Sequence, residues 1–261
     1  EQRDIAEKIA KECLVLLKND GTLPLEEDQE LVIVGDLAEE IRFQGGGSSH
    51  IRTRRTQSIL DVLDEKEISF RFARGYDQGS DKYDKYMEEE AVNLARKAPL
   101  VLYFAGLTEK REGESYDRKT LSLPDNQLRL YYKLLTANKN ILVVTFGGSP
   151  FDMVFDEEAK AILHAYLGGE AVAKAIVDTL YGDNNPSGKL AETWPLRLED
   201  IPSTETFAKD TDDVQYRESI FVGYRYFNTF NKKVRYPFGY GLSYTTFSYS
   251  DLKVSDESFS D

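Results

Sequence analysis

A chain of 261 residues, 41% hydrophobic and 12% aromatic, carries enough apolar side chain for one large α/β domain or two small ones. Its formal net charge of −13 excludes a basic face for nucleic acid or for an anionic membrane surface. No apolar run approaches the roughly 18 residues of a membrane span, and one Cys with two His are too few for a typical structural zinc site. Ile5, Ile9, Cys13 and Leu16 recur at helical spacing. Leu14–Leu17 extend that helix and make Cys13 a packed core thiol, until Asn19-Asp20-Gly21 and Pro24 break it. Leu31–Val34 reads as a buried strand, Ile59–Leu63 as a short helix, and Ile68, Phe70 and Phe72 as a weaker strand. Met87–Ala98 reads as helix and Leu100–Ala105 as strand. Asn126–Ala137, behind the start signal Pro124-Asp125, is helical. Ile141–Phe146 and Ala161–Tyr166 are strands, and Glu170–Tyr181 is a helix.

This alternation predicts an α/β layered fold with Leu31–Val34, Leu100–Ala105 and Ile141–Phe146 in one mostly parallel sheet. Beyond about residue 200 the chain turns aromatic without a helical period. Tyr216, Phe221, Tyr224, Tyr226, Phe227, Phe230, Tyr236, Phe238, Tyr240 and Tyr244 are expected to wrap the domain.

Ligands of open parallel sheets sit outside the carboxyl ends of the strands. Three loops meet that condition here: Gln44–His50, the carboxylate-rich segment Glu109–Arg118, and Gly147–Pro150. Gly45-Gly46-Gly47-Ser48-Ser49 lacks the Lys of a Walker loop and fails the Gly-x-Gly-x-x-Gly spacing, so a nucleotide cradle is rejected. A tight turn presenting Ser48 and Ser49 to a hydroxylated ligand fits better. His50 reads as a rim or packing residue, and His164, inside an apolar strand, as a satisfied core histidine.

Five segments, in order over about residues 5 to 250, carry a family resemblance. They are Glu12–Leu25, Gly45–Ser49, Glu112–Arg118 with Leu123-Pro124 and Gln127, Tyr181–Leu190 with Thr193-Trp194-Pro195, and Tyr236–Thr245. The chain resembles the (α/β)6-sandwich domain of family three glycoside hydrolases, the β-glucosidase and β-xylosidase group. The resemblance implies a three-layer sandwich over residues 1–247, with 248–261 as a linker or the start of another module. The Asn184–Gly188 and Pro237–Gly241 segments are turn chemistry and read as structural.

Retaining glycosidases need two carboxyl groups roughly 5–5.5 Å apart. In the family this chain resembles, the nucleophile is an Asp on a TIM-barrel domain and the sandwich lends the acid/base Glu. The matching residue is Glu114, in a Glu-x-x-Asp-Arg pattern with Asp117 and Arg118. Glu112 is the runner-up, expected otherwise to raise the proton affinity of Glu114 or to be solvated. The resemblance further implies sugar contact by Ser48, Ser49 and Tyr116, an Asp117–Arg118 pair bracing the loop, no cofactor and no metal. The implied partners are the barrel and a β-linked glucoside. A xylosidase or other exo-glycosidase, or a non-catalytic carbohydrate-binding module, is the alternative. The compartment stays open: Cys13 permits a reducing one, and a missing leader would fit secretion or the periplasm.

Overall fold

The computed structural model describes residues 2–115, 117–207, 213, 215–255 and 258. Strands β1 (Val15–Asn19), β2 (Leu31–Val34), β3 (Phe70–Ala73), β4 (Leu100–Gly106), β5 (Ile141–Phe146) and β6 (Ala161–His164) form one sheet. Its order is β1-β6-β5-β4-β2-β3, parallel except for β1 against β6. Every residue of β2, β4, β5 and β6 is buried. Strands buried on both faces need helices on both faces. Helices α1 (Gln2–Cys13), α3 (Ile59–Glu65) and α6 (Val172–Leu180) pack together, and so do α4 (Lys85–Ala95) and α5 (Asp125–Ala137). A short α2 (Asp36–Glu39) follows β2. The result is the three-layer α/β sandwich expected. No described helix is long and apolar enough to cross a membrane.

The first segment departs from expectation. The helix stops at Cys13; Leu14 is buried behind it, and Val15, Leu16 and Leu17 are buried as the start of β1. An apolar run of four is compatible with helix or strand by pattern alone. Here the free side of β6 claims it. Cys13 is therefore exposed rather than a core thiol, and Ile5 and Ile9 also face solvent.

An ionic clasp docks α1 instead. Asp178 on α6, 2% exposed, meets Lys11 at 2.7 Å, Lys66 at 2.8 Å and Lys174 at 2.6 Å. Burial raises the Asp178 carboxyl, but hydrogen bonds from Lys11, Lys174 and Lys66 outweigh it and hold it at about 2. A depressed carboxylate stabilises the fold fully above its ordinary value near 3.8 and loses that contribution as pH falls through about 2. Asp178→Asn removes the carboxylate the three lysines share, leaving Lys11 and Lys174 to Glu7 and Lys66 to Asp183, and is expected to cost about 2 kcal/mol at pH 7 in urea unfolding. The gap from the parent chain should narrow below about pH 4. A gap independent of pH would show that packing, not charge, holds the clasp.

The aromatic tail is a wrap with two additions. It contains a short helix, α7 (Tyr224–Thr229), where no helical period was expected. It also contains β8 (Val234–Tyr236), which pairs antiparallel with β7 (Trp194–Pro195). Leu242 bridges Leu16, its N–H donating to the Leu16 carbonyl at 2.8 Å, which covers the outer edge of β1. The Asn185 side chain accepts from the Tyr244 N–H and the Ser243 hydroxyl, both at 2.9 Å. The Asn184–Gly188 turn and the tail thus lock each other, as their structural reading required. Tyr236, Tyr240 and Tyr244 pack on the core, whereas Tyr216, Tyr224, Phe230 and Phe238 remain exposed.

Candidate active site

The strand order reverses between β4 and β2. From β2 the chain moves outward to β3, then returns to β4 and proceeds to β5 and β6. At such a switch point the loops leaving adjacent strands diverge and open a crevice at the carboxyl edge. The loops after β2 and β4 carry the Gly45–Ser49 turn and the Glu109–Arg118 segment, so parallel pairing brings them together. Gly147–Pro150, after β5, joins them.

Glu114 meets Ser48 at this edge. The Ser48 backbone N–H donates to Glu114 Oε2 at 2.8 Å. Gly47 allows the approach: its φ of +82° suits glycine, and a Cβ there would lie 2.6 Å from the Glu114 Cβ. Ser115, next to Glu114, also sits at positive φ (79°), a sparsely populated conformation for serine that turns the chain back sharply. The Glu114 carboxylate is exposed, and hydrogen bonding from Ser48, through its hydroxyl and its N–H, holds its pKa below the ordinary value. The Ser49 hydroxyl, by contrast, donates to the Gly46 carbonyl at 3.3 Å within its own turn. Tyr116 lies outside the described residues.

Glu112 is neither solvated nor turned toward Glu114, which corrects the sequence expectation. Its Oε2 accepts from Arg42 Nη1 at 2.8 Å and from the Gly148 N–H at 2.9 Å, and its Oε1 accepts from the Ser149 hydroxyl. Arg42, 4% exposed, also donates to the Leu107 carbonyl at 2.7 Å and to the Glu112 carbonyl at 3.1 Å. The expected Asp117–Arg118 pair does not form. Asp117 is exposed, while Arg118 donates to Ser149 Oγ at 3.2 Å and to the Pro150 carbonyl at 2.6 Å. The β5 loop, rather than the adjacent carboxylate, supplies the acceptors for the Arg118 guanidinium. Burial lowers the Arg118 pKa, with the Glu112 charge opposing it.

Arg42 is the residue that sequence reasoning missed. Its one local signal is a lone cation between Glu39-Glu40 and the glycine turn. His50 stands at the rim, 3.6 Å from Glu109. His164 is a core residue, its Nδ1 2.9 Å from Thr145 Oγ1 among Phe151, Tyr166 and Trp194, with burial lowering its pKa to about 3. Its Nε2 has no hydrogen-bond partner among the described residues, so there the expected core histidine is satisfied at one nitrogen only. A cleft of about 800 Å³ opens beside Arg42, Gln78, Thr108 and Glu109, and neither Ser48 nor Glu114 lines it. Among the described residues, no group of three or more His, Cys, Asp or Glu is arranged to hold a metal ion.

The sequence matches the glycosyl hydrolase family 3 C-terminal domain over residues 14–244, and the chain belongs to that family. It is 40% identical over 261 residues to the thermostable β-glucosidase B of Acetivibrio thermocellus, covering 98% of this chain and 35% of that protein. An exo-α-(1→6)-L-arabinopyranosidase of Bifidobacterium longum is 39% identical, over 97% of this chain and 35% of its own length. The fold superimposes on the crystal structure of a Bifidobacterium adolescentis family 3 β-glucosidase with a TM-score of 0.90 at 40% identity. That match covers 94% of this chain and 36% of the other. The chain spans about a third of the length of these relatives.

Proposed function

We propose that this domain lends Glu114 as the general acid/base of a retaining exo-β-glycosidase, with a β-glucoside as substrate. The nucleophile would belong to a TIM barrel elsewhere in the polypeptide. Residues 1–247 would form the lending domain and 248–261 a connection onward. Ser48, Ser49 and Tyr116 would contact the sugar, and no cofactor is required. The observation that carries this reading is the contrast between two carboxylates in one loop: Glu112 is consumed by Arg42, Gly148 and Ser149, whereas Glu114 stands exposed at the rim.

A general acid works best with its pKa raised toward operating pH by burial. In this chain Ser48 holds Glu114 low instead. Docking of a second domain over the rim would supply the missing desolvation. The choice of sugar would reside in the remainder of the protein. A β-glucosidase and an arabinopyranosidase resemble this domain equally well, which supports that division and leaves a xylosidase or other exo-glycosidase as the alternative. The test is a leaving-group series on the full-length enzyme carrying Glu114→Ala. Loss concentrated on poor leaving groups supports the assignment, and a uniform loss or none overturns it.

A carbohydrate-binding module would behave differently in isolation. Calorimetric titration of the isolated chain with glucose or cellobiose is expected to show no binding tighter than about 1 mM. Micromolar binding would favour the module.

A further inference from the structure

The structure assigns Glu112 a part in catalysis that is not proton transfer: we propose that it is the positioning residue for the Glu114 loop. The inference rests on the function proposed above. Glu112 and Glu114 are two residues apart and have opposite surroundings. Both oxygens of Glu112 are engaged by donors from the loops after β2 and β5, namely Arg42, Gly148 and Ser149. Arg42 grips the same residue twice, through carboxylate and carbonyl, and grips the end of β4 through the Leu107 carbonyl. On the far side of Glu114, Arg118 is tied to Ser149 and Pro150.

The loop is therefore pinned at Glu112 and at Arg118, and Glu114 lies in the short span between the pins. Glu114 sits on that short span, steadied by Ser48. A group that must protonate a departing oxygen has to be held to a fraction of an ångström, and misplacement by about 1 Å can cost about 10²-fold in rate. The Glu112 carboxylate also offsets part of the positive charge at the junction, pairing with Arg42 at 2.8 Å and attracting the Arg118 guanidinium. Without Glu112, two cations remain at the junction, and Glu114, two residues along the same loop, is a carboxylate they can attract. It would be drawn inward, away from Ser48 and from the substrate.

The test compares Glu112→Ala, Glu112→Gln, Ser149→Ala, Glu114→Ala and the double variant E112A/E114A in the full-length enzyme. The substrates are cellobiose, with a poor leaving group, and 2,4-dinitrophenyl β-glucoside, with an activated one. Glu112→Ala is expected to lower kcat/KM for cellobiose by about 10- to 100-fold and that for the activated glucoside by less than about three-fold. Glu112→Gln, which keeps the shape and an acceptor oxygen, should recover part of the loss. The double variant should be no slower on cellobiose than Glu114→Ala alone, because Glu112 acts only through Glu114. If Glu112→Ala does not fold, Ser149→Ala carries the same expectation with a smaller loss of about three- to ten-fold. Equal loss on both substrates, no loss on either, or additive losses in the double variant would overturn the proposal. Glu114→Ala without leaving-group selectivity would instead remove the proposed function beneath it.

Discussion

Glu114→Ala in the full-length enzyme is expected to lower kcat/KM for cellobiose by about 10²–10⁴-fold while sparing that for 2,4-dinitrophenyl β-glucoside. The ratio kcat/KM reports the step in which the glycosidic bond breaks. An alkoxide is a poor leaving group and needs a proton, which Glu114 would supply, whereas dinitrophenolate departs without it. On the proposed assignment the same residue would act as base in the second step, taking a proton from water as it attacks the glycosyl-enzyme. On the activated substrate kcat should therefore fall, with glycosyl-enzyme accumulating. Azide needs no base, so it should restore turnover and yield a β-glycosyl azide. The geometry supports Glu114 in this role, because it is exposed and, among the described residues, held by Ser48, whereas Glu112 is engaged across three loops. Should Glu112→Ala show leaving-group selectivity and azide rescue while Glu114→Ala shows neither, the acid is Glu112.

A second large effect is expected from the isolated chain, which should hydrolyse aryl β-glucosides no faster than buffer does. Retaining chemistry requires attack on the anomeric carbon from the face opposite the leaving group. The carboxylates near Glu114 in the same loop, Glu112 and Asp117, approach from the acid's own side, and Glu112 is committed to Arg42. Adding the remainder of the protein as a separate chain should rescue activity if the halves dock, with a rate that depends on both concentrations. Glucosidase activity in a barrel-free preparation, abolished by Glu114→Ala, would show that the chain holds a complete site and would overturn the two-domain mechanism.

The central sheet was legible because burial on both faces leaves an unmistakable local mark. Leu31–Val34, Leu100–Gly106 and Ile141–Phe146 are short apolar runs between breakers, and each is a strand with every residue buried. From parallel strands the shared edge of their loops follows, and so does the meeting of Ser48 with Glu114. Leu14–Leu17 was not legible, since a run of four apolar residues suits helix or strand until a neighbour such as β6 is present to pair with it. Nor was the fate of the loop carboxylates. Nothing local distinguishes Glu112 from Glu114. The distinction comes from Arg42, 70 residues away, and from Gly148 and Ser149 on a third loop. Asp117 and Arg118, adjacent and opposite in charge, looked like a pair and are not one, because Arg118 finds its acceptors on Ser149 and Pro150. Periodicity encodes which side chains leave water, a property of short segments. Which charges meet depends on strand order, which only the assembled sheet decides.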